Sequence, residues 1–258
     1  MITFRRKRGS FSVEFKYAQI RGSVDKDKKI AILSKYDFYF EDIKNKCNLS
    51  DKNLLNLNLT NFEDYKPLKL FKPDFVFIPH WPFKLPIWVH EDFQCIGFHT
   101  GNLPDDKGGS PIQNKILRKE YDTFVNAFEL NEKLDGGKLM LKKPVSLKYG
   151  SIEEILKRIS LIIAELVYVI ISNKIISQDI PNKGIRFTRL SLKQSEVNID
   201  ENNLESLYNQ IRMVDGLDYP KAVLILKNFK IEFSNAFISE NKIKSNCEIT
   251  IMNGEHNE

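Results

Sequence analysis

The stretch FVFIPHWPFKLPIWVHEDFQCIGFH, residues 75–99, contains two short apolar runs, and a histidine follows each of them. His80 follows the run at 75–79, and His99 follows the run at 95–98. Short apolar runs bounded by polar or proline-marked turns are typical of strands that are covered on both faces. The stretch therefore predicts two buried strands, each with a histidine at its carboxyl end.

The same pattern extends towards the N-terminus, where IAIL at 30–33 and LLNLNL at 54–59 are further predicted strands. The segments at 38–46 and 65–71 are long enough for crossover helices. A strand-helix-strand order implies an α/β fold with a mainly parallel, doubly wound sheet. Ligands bind beyond the carboxyl ends of the strands in such sheets, which is where the two histidines lie.

The segment SIEEILKRISLIIAELVYVIIS at 151–172 predicts a long buried helix. Ser151 and Glu154 have the spacing of a capping box, and the residues after them are apolar nearly all round the helix. After Pro181 the chain becomes polar, then NLESLYNQIRMV at 203–214 predicts a helix, and three alternating segments come after it. These features predict a small β-rich domain at the C-terminal end.

These patterns divide the chain into three regions. Residues 1–28 are predicted to be an N-terminal extension with one strand, because FSVEFKYAQI at 11–20 alternates with a period of two, unlike the short apolar runs that begin at residue 30. Residues 29–188 form the predicted main domain. Residues 189–258 form the predicted small C-terminal α+β domain.

The composition excludes several classes of protein. With 258 residues, of which 42% are apolar, the chain can bury one full core. The net charge of +5 comes from 39 basic and 34 acidic residues, so it supports a mild preference for anionic ligands and does not require nucleic acid. The longest apolar run, at 159–171, is too short to cross a bilayer and contains Glu165, so no membrane partner is expected.

The three cysteines, Cys47, Cys95 and Cys247, are far apart and form no CxxC pair. An odd number of isolated cysteines is typical of reduced thiols, so a cytoplasmic location is expected. The same spacing is unsuited to a zinc site, and no metal is predicted.

The segment GFHTGNLPDDKGGSPIQNKIL at 97–117 joins His99 to a glycine-rich loop and to a helix that begins near Pro111. A histidine titrates near neutral pH and can take or give a proton, and a carboxylate can fix its tautomer. Asp135, in the turn NEKLDGGKLML at 131–141, is the candidate carboxylate. From the residues alone, a histidine after a strand and an Asp-Gly-Gly turn are also compatible with a purely structural role.

Several blocks of the sequence resemble the folate-dependent formyltransferase family. That family has a histidine followed by Leu-Pro, Arg-Gly and Pro-Ile, then a downstream Leu-Asp-x-Gly. The counterparts here are FIPHW at 77–81, FHTGNLPDDKGGSPIQN at 98–114, LDGG at 134–137 and IRMVDGLDYPKA at 211–222. The chain is especially similar to the sugar-nucleotide N-formyltransferases of bacterial surface-sugar pathways, of the pseudaminic-acid type. The resemblance covers about residues 29–252 and implies a Rossmann-like formyltransferase domain.

By position, the resemblance implies that His99 is the catalytic histidine and that Asp135 orients and polarises it. The implied reaction transfers a formyl group from N10-formyltetrahydrofolate to an amine, so the site must stabilise an oxyanion and take up one proton. The wider family has an asparagine two residues before the histidine, where this chain has Gly97. Either the side chain of Asn102 or a backbone N–H of the loop replaces that donor, or the chain binds its ligands without turnover.

The cofactor pocket is predicted to lie just after the strand that ends before His80. The resemblance implies an apolar wall of Trp81, Phe83 and Leu85, and Gly137 of the Asp-Gly-Gly turn is a further cofactor contact. The two aromatic residues are equally compatible with core positions under a loop. His80 is expected either to contact the acceptor or only to hydrogen-bond at the end of its strand.

The loop after His99 is the predicted contact for an anionic group of the acceptor. Lys107 stands where the family usually has arginine, and it can meet a phosphate as a point charge. Gly109 and Ser110 present a main-chain N–H and a hydroxyl near the start of a helix, where anions are favoured. The same residues are compatible with a loop that only caps the helix.

A nucleotide-linked amino sugar is the predicted acceptor, because the chain resembles the surface-sugar branch most strongly. Initiator tRNA is the alternative enzyme substrate, and hydrolysis of formyltetrahydrofolate by water is a third reaction. A protein that binds tRNA is expected to have a broad basic surface, whereas acidic residues offset the lysines after residue 189. These acids include Glu196, Asp200, Glu201 and Glu205. This charge balance argues against tRNA. The C-terminal domain is predicted to brace the first domain or to cover strand edges in a homodimer.

Overall fold

The computed structural model describes residues 5–7, 10–12, 24–131, 137–181, 184–191, 195–198 and 203–252. The predicted carboxylate, Asp135, and most of the predicted strand at 11–20 lie outside these ranges. The chain forms two compact units, and each is discontinuous in sequence. The first unit is Met1–Pro104, Phe124–Pro144 and Ile159–Lys183, and the second is Asp105–Thr123, Val145–Arg158 and Gly184–Glu258. The domain boundaries at residues 28 and 188 stay predictions.

Within the described residues, the chain contains fourteen strands and six α-helices. The strands are β1 (Arg5–Lys7), β2 (Ser10–Ser12), β3 (Ile30–Ser34), β4 (Leu54–Asn58), β5 (Phe75–Ile78), β6 (Cys95–Thr100), β7 (Asp106–Gly108), β8 (Asp122–Glu129), β9 (Lys138–Ser146), β10 (Gln178–Asp179), β11 (Ile185–Phe187), β12 (Ala222–Leu226), β13 (Phe229–Ser239) and β14 (Lys242–Ile251). The helices are α1 (Asp37–Cys47), α2 (Lys66–Phe71), α3 (Ile87–Asp92), α4 (Pro111–Leu117), α5 (Ile152–Ser172) and α6 (Leu204–Arg212).

The main sheet has seven strands in the order β10-β9-β8-β6-β5-β3-β4. Strands β4, β3, β5 and β6 are parallel to one another, whereas β8 is antiparallel to β6 and β10 is antiparallel to β9. The predicted α/β fold with a mainly parallel sheet is therefore confirmed. The structure also contains strands at the four predicted positions, 30–33, 54–59, 75–79 and 95–98.

Apolar side chains of the parallel strands build the core of the first unit. All of Ile30, Ala31, Ile32 and Leu33 in β3 are fully buried, as expected for a central strand with both faces covered. One core cluster joins residues of β3, β4, β5 and β6 to α2, α3 and the segment after β5. Its buried members are Ala31, Leu33, Leu57, Leu68, Val76, Ile78, Leu85, Val89 and Cys95.

Helix α1 illustrates how the sequence positions a crossover helix. Its buried residues, Tyr39, Ile43 and Cys47, are four positions apart, which places them on one face of the helix. The helix ends at Cys47, and Asn48 adopts a left-handed conformation that is typical of a helix C-terminus. Burial raises the pKa of the Cys47 thiol to about 12, so this cysteine stays protonated in the core.

The elements that the sequence does not predict include α3 and β8. Helix α3 has only six residues, too few for a helical period to be recognised. Strand β8 reads DTFVNAFE, and its buried polar residues Thr123 and Asn126 interrupt the apolar pattern.

Helix α5 begins with the predicted capping box. The N–H of Ser151 donates to Glu154 Oε2 at 2.8 Å, and the N–H of Glu154 donates to Ser151 Oγ at 3.3 Å. Most of the helix is buried as predicted, but Leu161 is 57% exposed and Glu165 forms an ion pair with Lys143. No helix in the described part of the chain combines the length and the apolar composition that a bilayer crossing needs.

The second unit contains the β-rich part of the chain. Strands β7 and β11 form a parallel pair, and β12, β13 and β14 form an antiparallel sheet. The side chain of Asn203 caps helix α6 by accepting hydrogen bonds from the N–H groups of Glu205 at 2.9 Å and Ser206 at 3.2 Å. The predicted small β-rich C-terminal domain is confirmed.

Candidate active site

Strands β5 and β6 end side by side, with Ile78 of β5 paired to Gly97 of β6. A cavity of about 830 Å³ opens there, lined by these strands, the segment after β5, helix α3 and the end of β8. Such a volume is typical of a cofactor or small-ligand site. Four residues that the sequence singles out line this cavity together, namely His80, Trp81, Phe83 and Leu85.

Aromatic rings form one wall of the cavity. The Phe62 ring meets the Trp81 ring edge-on at 4.9 Å and stacks on the Phe83 ring at 5.5 Å. The indole N–H of Trp81 donates to the Tyr65 hydroxyl at 3.1 Å, which fixes the plane of the indole. Burial raises the pKa of Tyr65, so its hydroxyl stays neutral. Leu85 belongs to the core cluster, whereas half of the Phe83 surface is exposed and can contact a ligand.

His80 lies at the end of β5 with a left-handed backbone, φ 54°. Its carbonyl oxygen accepts a hydrogen bond from the N–H of Lys35 at 3.1 Å. Its ring packs against the rings of Tyr36 at 5.2 Å and Tyr39 at 6.3 Å. His80 therefore has a packing role as well as a place on the cavity wall, and its contact with an acceptor stays a prediction.

The main chain around His99 is held by a buried amide. His99 is buried in β6 and pairs with Asn126 in β8. The Nδ2 of Asn126 donates to the carbonyl oxygens of His99 at 2.9 Å and Gly101 at 2.7 Å. The N–H of Gly101 donates to the carbonyl oxygen of Phe124 at 2.8 Å. These bonds fix the end of β6 and the turn after the histidine.

Sequence reasoning missed Asn126, although one signal was present. Asparagine is depleted in strands, and TFVNAF places one in the middle of an otherwise apolar run. A fully buried amide in such a position indicates main-chain groups that need a partner.

Replacing Asn126 by alanine should therefore lower the free energy of unfolding by about 2–3 kcal/mol, because two buried carbonyl oxygens lose their donor. Chemical denaturation of the variant measures this loss. The matched control is Asn246→Ala on β14, where the exposed side chain should change stability by less than about 0.5 kcal/mol. Equal stability of the two variants would contradict the role assigned to the Asn126 amide.

Gly97, the position where the wider family has asparagine, has little room for a side chain. A Cβ there would lie 2.8 Å from Leu130 Cδ2 and 3.1 Å from Phe128 Cζ, so the Leu130 side chain would have to move. Gly97 and His99 are two residues apart in β6 and share one face of the strand. The apolar side chains of Leu130 and Phe128 therefore occupy the space that a side chain at position 97 would need.

Two further predicted residues lie near the end of β6 or in the Asp-Gly-Gly turn. Asn102 is half-buried, and its Oδ1 accepts a hydrogen bond from Lys142 Nζ at 2.6 Å. A Cβ on Gly137 would overlap the carbonyl of Glu129, so close packing of the two backbones requires glycine at this position. The cofactor contact of Gly137 stays a prediction, as does the pairing of His99 with a carboxylate that lies outside the described residues.

In the second unit, the loop that contains the predicted anion contacts is packed against the segment after β11. The N–H of Gly109 donates to the carbonyl oxygen of Phe187 at 3.1 Å, and Ser110 Oγ accepts from the N–H of Leu190 at 3.2 Å. Lys107 is 8% exposed. These bonds support the alternative in which the loop is mainly structural, and the anion contacts stay predictions.

The fold and the cavity define an α/β protein with a cavity at the carboxyl ends of parallel strands, where ligands bind in such sheets. A methionyl-tRNA formyltransferase from Clostridium thermocellum has a similar structure, with a TM-score of 0.79 and 30% identity over 87% of this chain and 99% of that chain. Residues 191–250 match the family model described as the C-terminal domain of methionyl-tRNA formyltransferase. The chain belongs to the formyltransferase family.

Other relatives are more distant or match in part. The methionyl-tRNA formyltransferase of Thermodesulfovibrio yellowstonii is 27% identical over 181 residues, which is 68% of this chain and 58% of that protein. The chain spans between 28 and 58% of the length of the curated relatives that it matches. A 4-N formyltransferase from Francisella tularensis shares the fold at 15% identity, with a TM-score of 0.58 over 78% of this chain and 94% of that one.

Proposed function

We propose that the protein transfers the formyl group of N10-formyltetrahydrofolate to a primary amine. The amine nitrogen attacks the formyl carbon, and the tetrahedral intermediate then breaks the bond between that carbon and N10 of the folate. N10 takes up one proton and the amine nitrogen loses one, so the products are tetrahydrofolate and a formamide. The site therefore has to hold two substrates, stabilise one oxyanion and move one proton.

The observation that supports this proposal most strongly is that one strand, β6, both lines the cavity and carries the candidate histidine. Gly97 lines the cavity, and His99 lies two residues further along the same face of β6. His99 is the proposed group that takes the amine proton and passes it towards N10, with Asp135 as the proposed orienting carboxylate. Asn102 is the proposed donor to the oxyanion.

The cavity also suits the folate that the family uses. Formyltransferases take the formyl group from a tetrahydrofolate derivative. A reduced pterin is a flat, partly apolar ring, and the wall of Trp81 and Phe83 offers it aromatic contact, while the cavity volume is large enough for the ring system. These residues would hold the donor and keep water away from the formyl carbon.

The comparisons favour methionyl-tRNA as the acceptor over the nucleotide-linked amino sugar that the sequence predicts. The solved relative at 30% identity and the matched C-terminal family model both bear the name of methionyl-tRNA formyltransferase. One observation keeps the amino sugar as a second candidate. Residues 203–252 contain six basic and six acidic side chains, so this part of the chain lacks the excess of positive charge that a tRNA surface favours.

The deciding experiment incubates the protein with N10-formyltetrahydrofolate and measures the release of tetrahydrofolate with each acceptor separately. The acceptors are methionyl-tRNA and a panel of nucleotide-linked amino sugars. Release that requires methionyl-tRNA supports the proposal in full, and release that requires one amino sugar moves the acceptor to the second candidate. Release without an acceptor indicates hydrolysis by water, and no release in any mixture overturns the proposed transfer.

Replacing Phe83 by alanine should raise the KM for N10-formyltetrahydrofolate by roughly 5- to 10-fold, because the exposed half of this ring is part of the proposed pterin wall. The value of kcat should change by less than about 3-fold, since the ring does not touch the reacting atoms. The matched control is Phe237→Ala, another exposed phenylalanine, which lies on β13 and is 72% exposed. An unchanged KM in the Phe83 variant would remove this residue from the donor site.

A further inference from the structure

A lysine on β9 holds the turn after His99. The Nζ of Lys142 donates to Asn102 Oδ1 at 2.6 Å and to the carbonyl oxygen of Leu103 at 3.1 Å. The same ammonium lies 4.1 Å from the centre of the Phe124 ring. The aromatic ring and the two oxygens surround the charge, so Lys142 has a defined position and is not a solvated surface lysine.

The hydrogen bond from Lys142 fixes the orientation of the side-chain amide of Asn102. An ammonium can only donate, so it binds the Oδ1 end, and the Nδ2 end is turned away from the lysine. A positive charge on the carbonyl oxygen also draws electrons from the amide nitrogen, which strengthens the Nδ2 hydrogens as donors. Asn102 therefore presents its donors in a fixed direction, three residues beyond His99.

We propose that Lys142 is a positioning residue that orients and polarises Asn102 as the oxyanion donor. This inference rests on the proposed formyl transfer. It identifies Asn102 as the residue that compensates for the asparagine that is missing at position 97. A side chain at position 97 would collide with Leu130, so the donor cannot come from that side of the histidine without a shift. In this proposal the turn after His99 provides the donor, and Lys142, which reaches across β8 from β9, keeps it in place.

Lys143, the next residue of β9, provides a matched control. Successive side chains of a strand point to opposite faces, and Lys143 forms its ion pair with Glu165 of α5. Lys143→Met removes the same charge from the same strand without touching Asn102.

The first test compares kcat and KM in Lys142→Met, Lys142→Arg, Lys143→Met, Asn102→Ala and the double variant Lys142→Met with Asn102→Ala. The acceptor is methionyl-tRNA or the amino sugar that wild-type protein accepts. Lys142→Met should lower kcat by about 10-fold or more and change the KM for the folate by less than about 2-fold. Lys142→Arg should recover most of the rate, and Lys143→Met should match wild type.

The double variant distinguishes positioning from an independent effect. Because Lys142 acts through Asn102, the double variant should be no slower than Asn102→Ala alone, within about 3-fold. Losses that multiply would overturn the inference, as would a Lys142→Met variant with the wild-type kcat.

A second measurement does not depend on turnover. The side-chain amide of Asn102, assigned in ¹⁵N spectra by its absence in Asn102→Ala, should shift in Lys142→Met and stay close to wild type in Lys143→Met. An unmoved signal in Lys142→Met would overturn the contact itself. If wild-type protein transfers no formyl group, the proposed function and the catalytic half of this inference both fail, whereas an active wild type with an unaffected Lys142→Met overturns the inference alone.

Discussion

Replacing His99 by asparagine should lower kcat for formyl transfer by at least about 10²-fold, which corresponds to about 2.7 kcal/mol of transition-state stabilisation. Asparagine is similar in size and can hydrogen-bond, but it has no nitrogen that takes up a proton near neutral pH. The fold should survive, because Asn126 binds the main-chain oxygen of residue 99 and not its side chain.

Steady-state kinetics and a thermal melt of the same His99→Asn preparation separate a catalytic effect from a folding effect. The KM for the folate should change by less than about 3-fold, since the imidazole is assigned to the reacting atoms and not to the cavity wall. Asp135→Asn should cause a loss of similar size if its carboxylate orients the imidazole. A His99 variant with near wild-type kcat would remove the histidine from the mechanism.

The parallel part of the sheet is predictable because its strands are buried on both faces. A strand with two buried faces is a short continuous apolar run, and IAIL at 30–33 and FVFIP at 75–79 have this form. Helix α5 is predictable from its capping box and apolar length. Strand β8 is not predictable in this way, because its buried Asn126 binds main-chain oxygens of residues 99 and 101, far away in the sequence.

In the candidate site, the predictable residues are those that lie close together in the sequence, and the others are brought together by contacts between distant parts of the chain. His80, Trp81, Phe83 and Leu85 lie within six residues of one another, so one strand end brings them to the cavity together. The contact between Lys142 and Asn102 joins residues forty positions apart, and the pairing of β6 with β8 creates the need for the Asn126 amide. Local patterns do not encode such contacts, because they depend on which strands become neighbours in the sheet.

Substitution of Arg212, in α6, is expected to have the largest effect on the free energy of unfolding. Its side chain is 1% exposed, although it is the longest polar side chain in the core of the second unit. One guanidinium nitrogen, Nη1, donates to the carbonyl oxygens of Leu147 at 2.9 Å and Gly150 at 3.1 Å. Nε donates to Asn209 Oδ1 at 2.8 Å, so two buried oxygens and the half-buried oxygen of Gly150 depend on one side chain.

Replacing Arg212 by alanine should therefore lower the free energy of unfolding by about 3–5 kcal/mol, and the melting temperature by an amount on the order of 10 °C. Burial lowers the pKa of Arg212, which reflects the cost of keeping a charge in this place, but arginine stays protonated at any ordinary pH. Arg212→Lys should recover only part of the stability, because a single ammonium cannot reproduce the planar fork of donors. Denaturant titration with a probe in the second unit measures these losses.

Arg158 is the matched control, because it binds the same loop from a more exposed position. Its Nη2 donates to the carbonyl oxygen of Tyr149 at 2.6 Å. Arg158→Ala should lower stability by less than about 1 kcal/mol, since water can replace an exposed donor. If Arg212→Ala proved no less stable than Arg158→Ala, the three oxygens that Arg212 binds would have to find other donors, and the guanidinium would not be what holds the loop at 147–150 to α6.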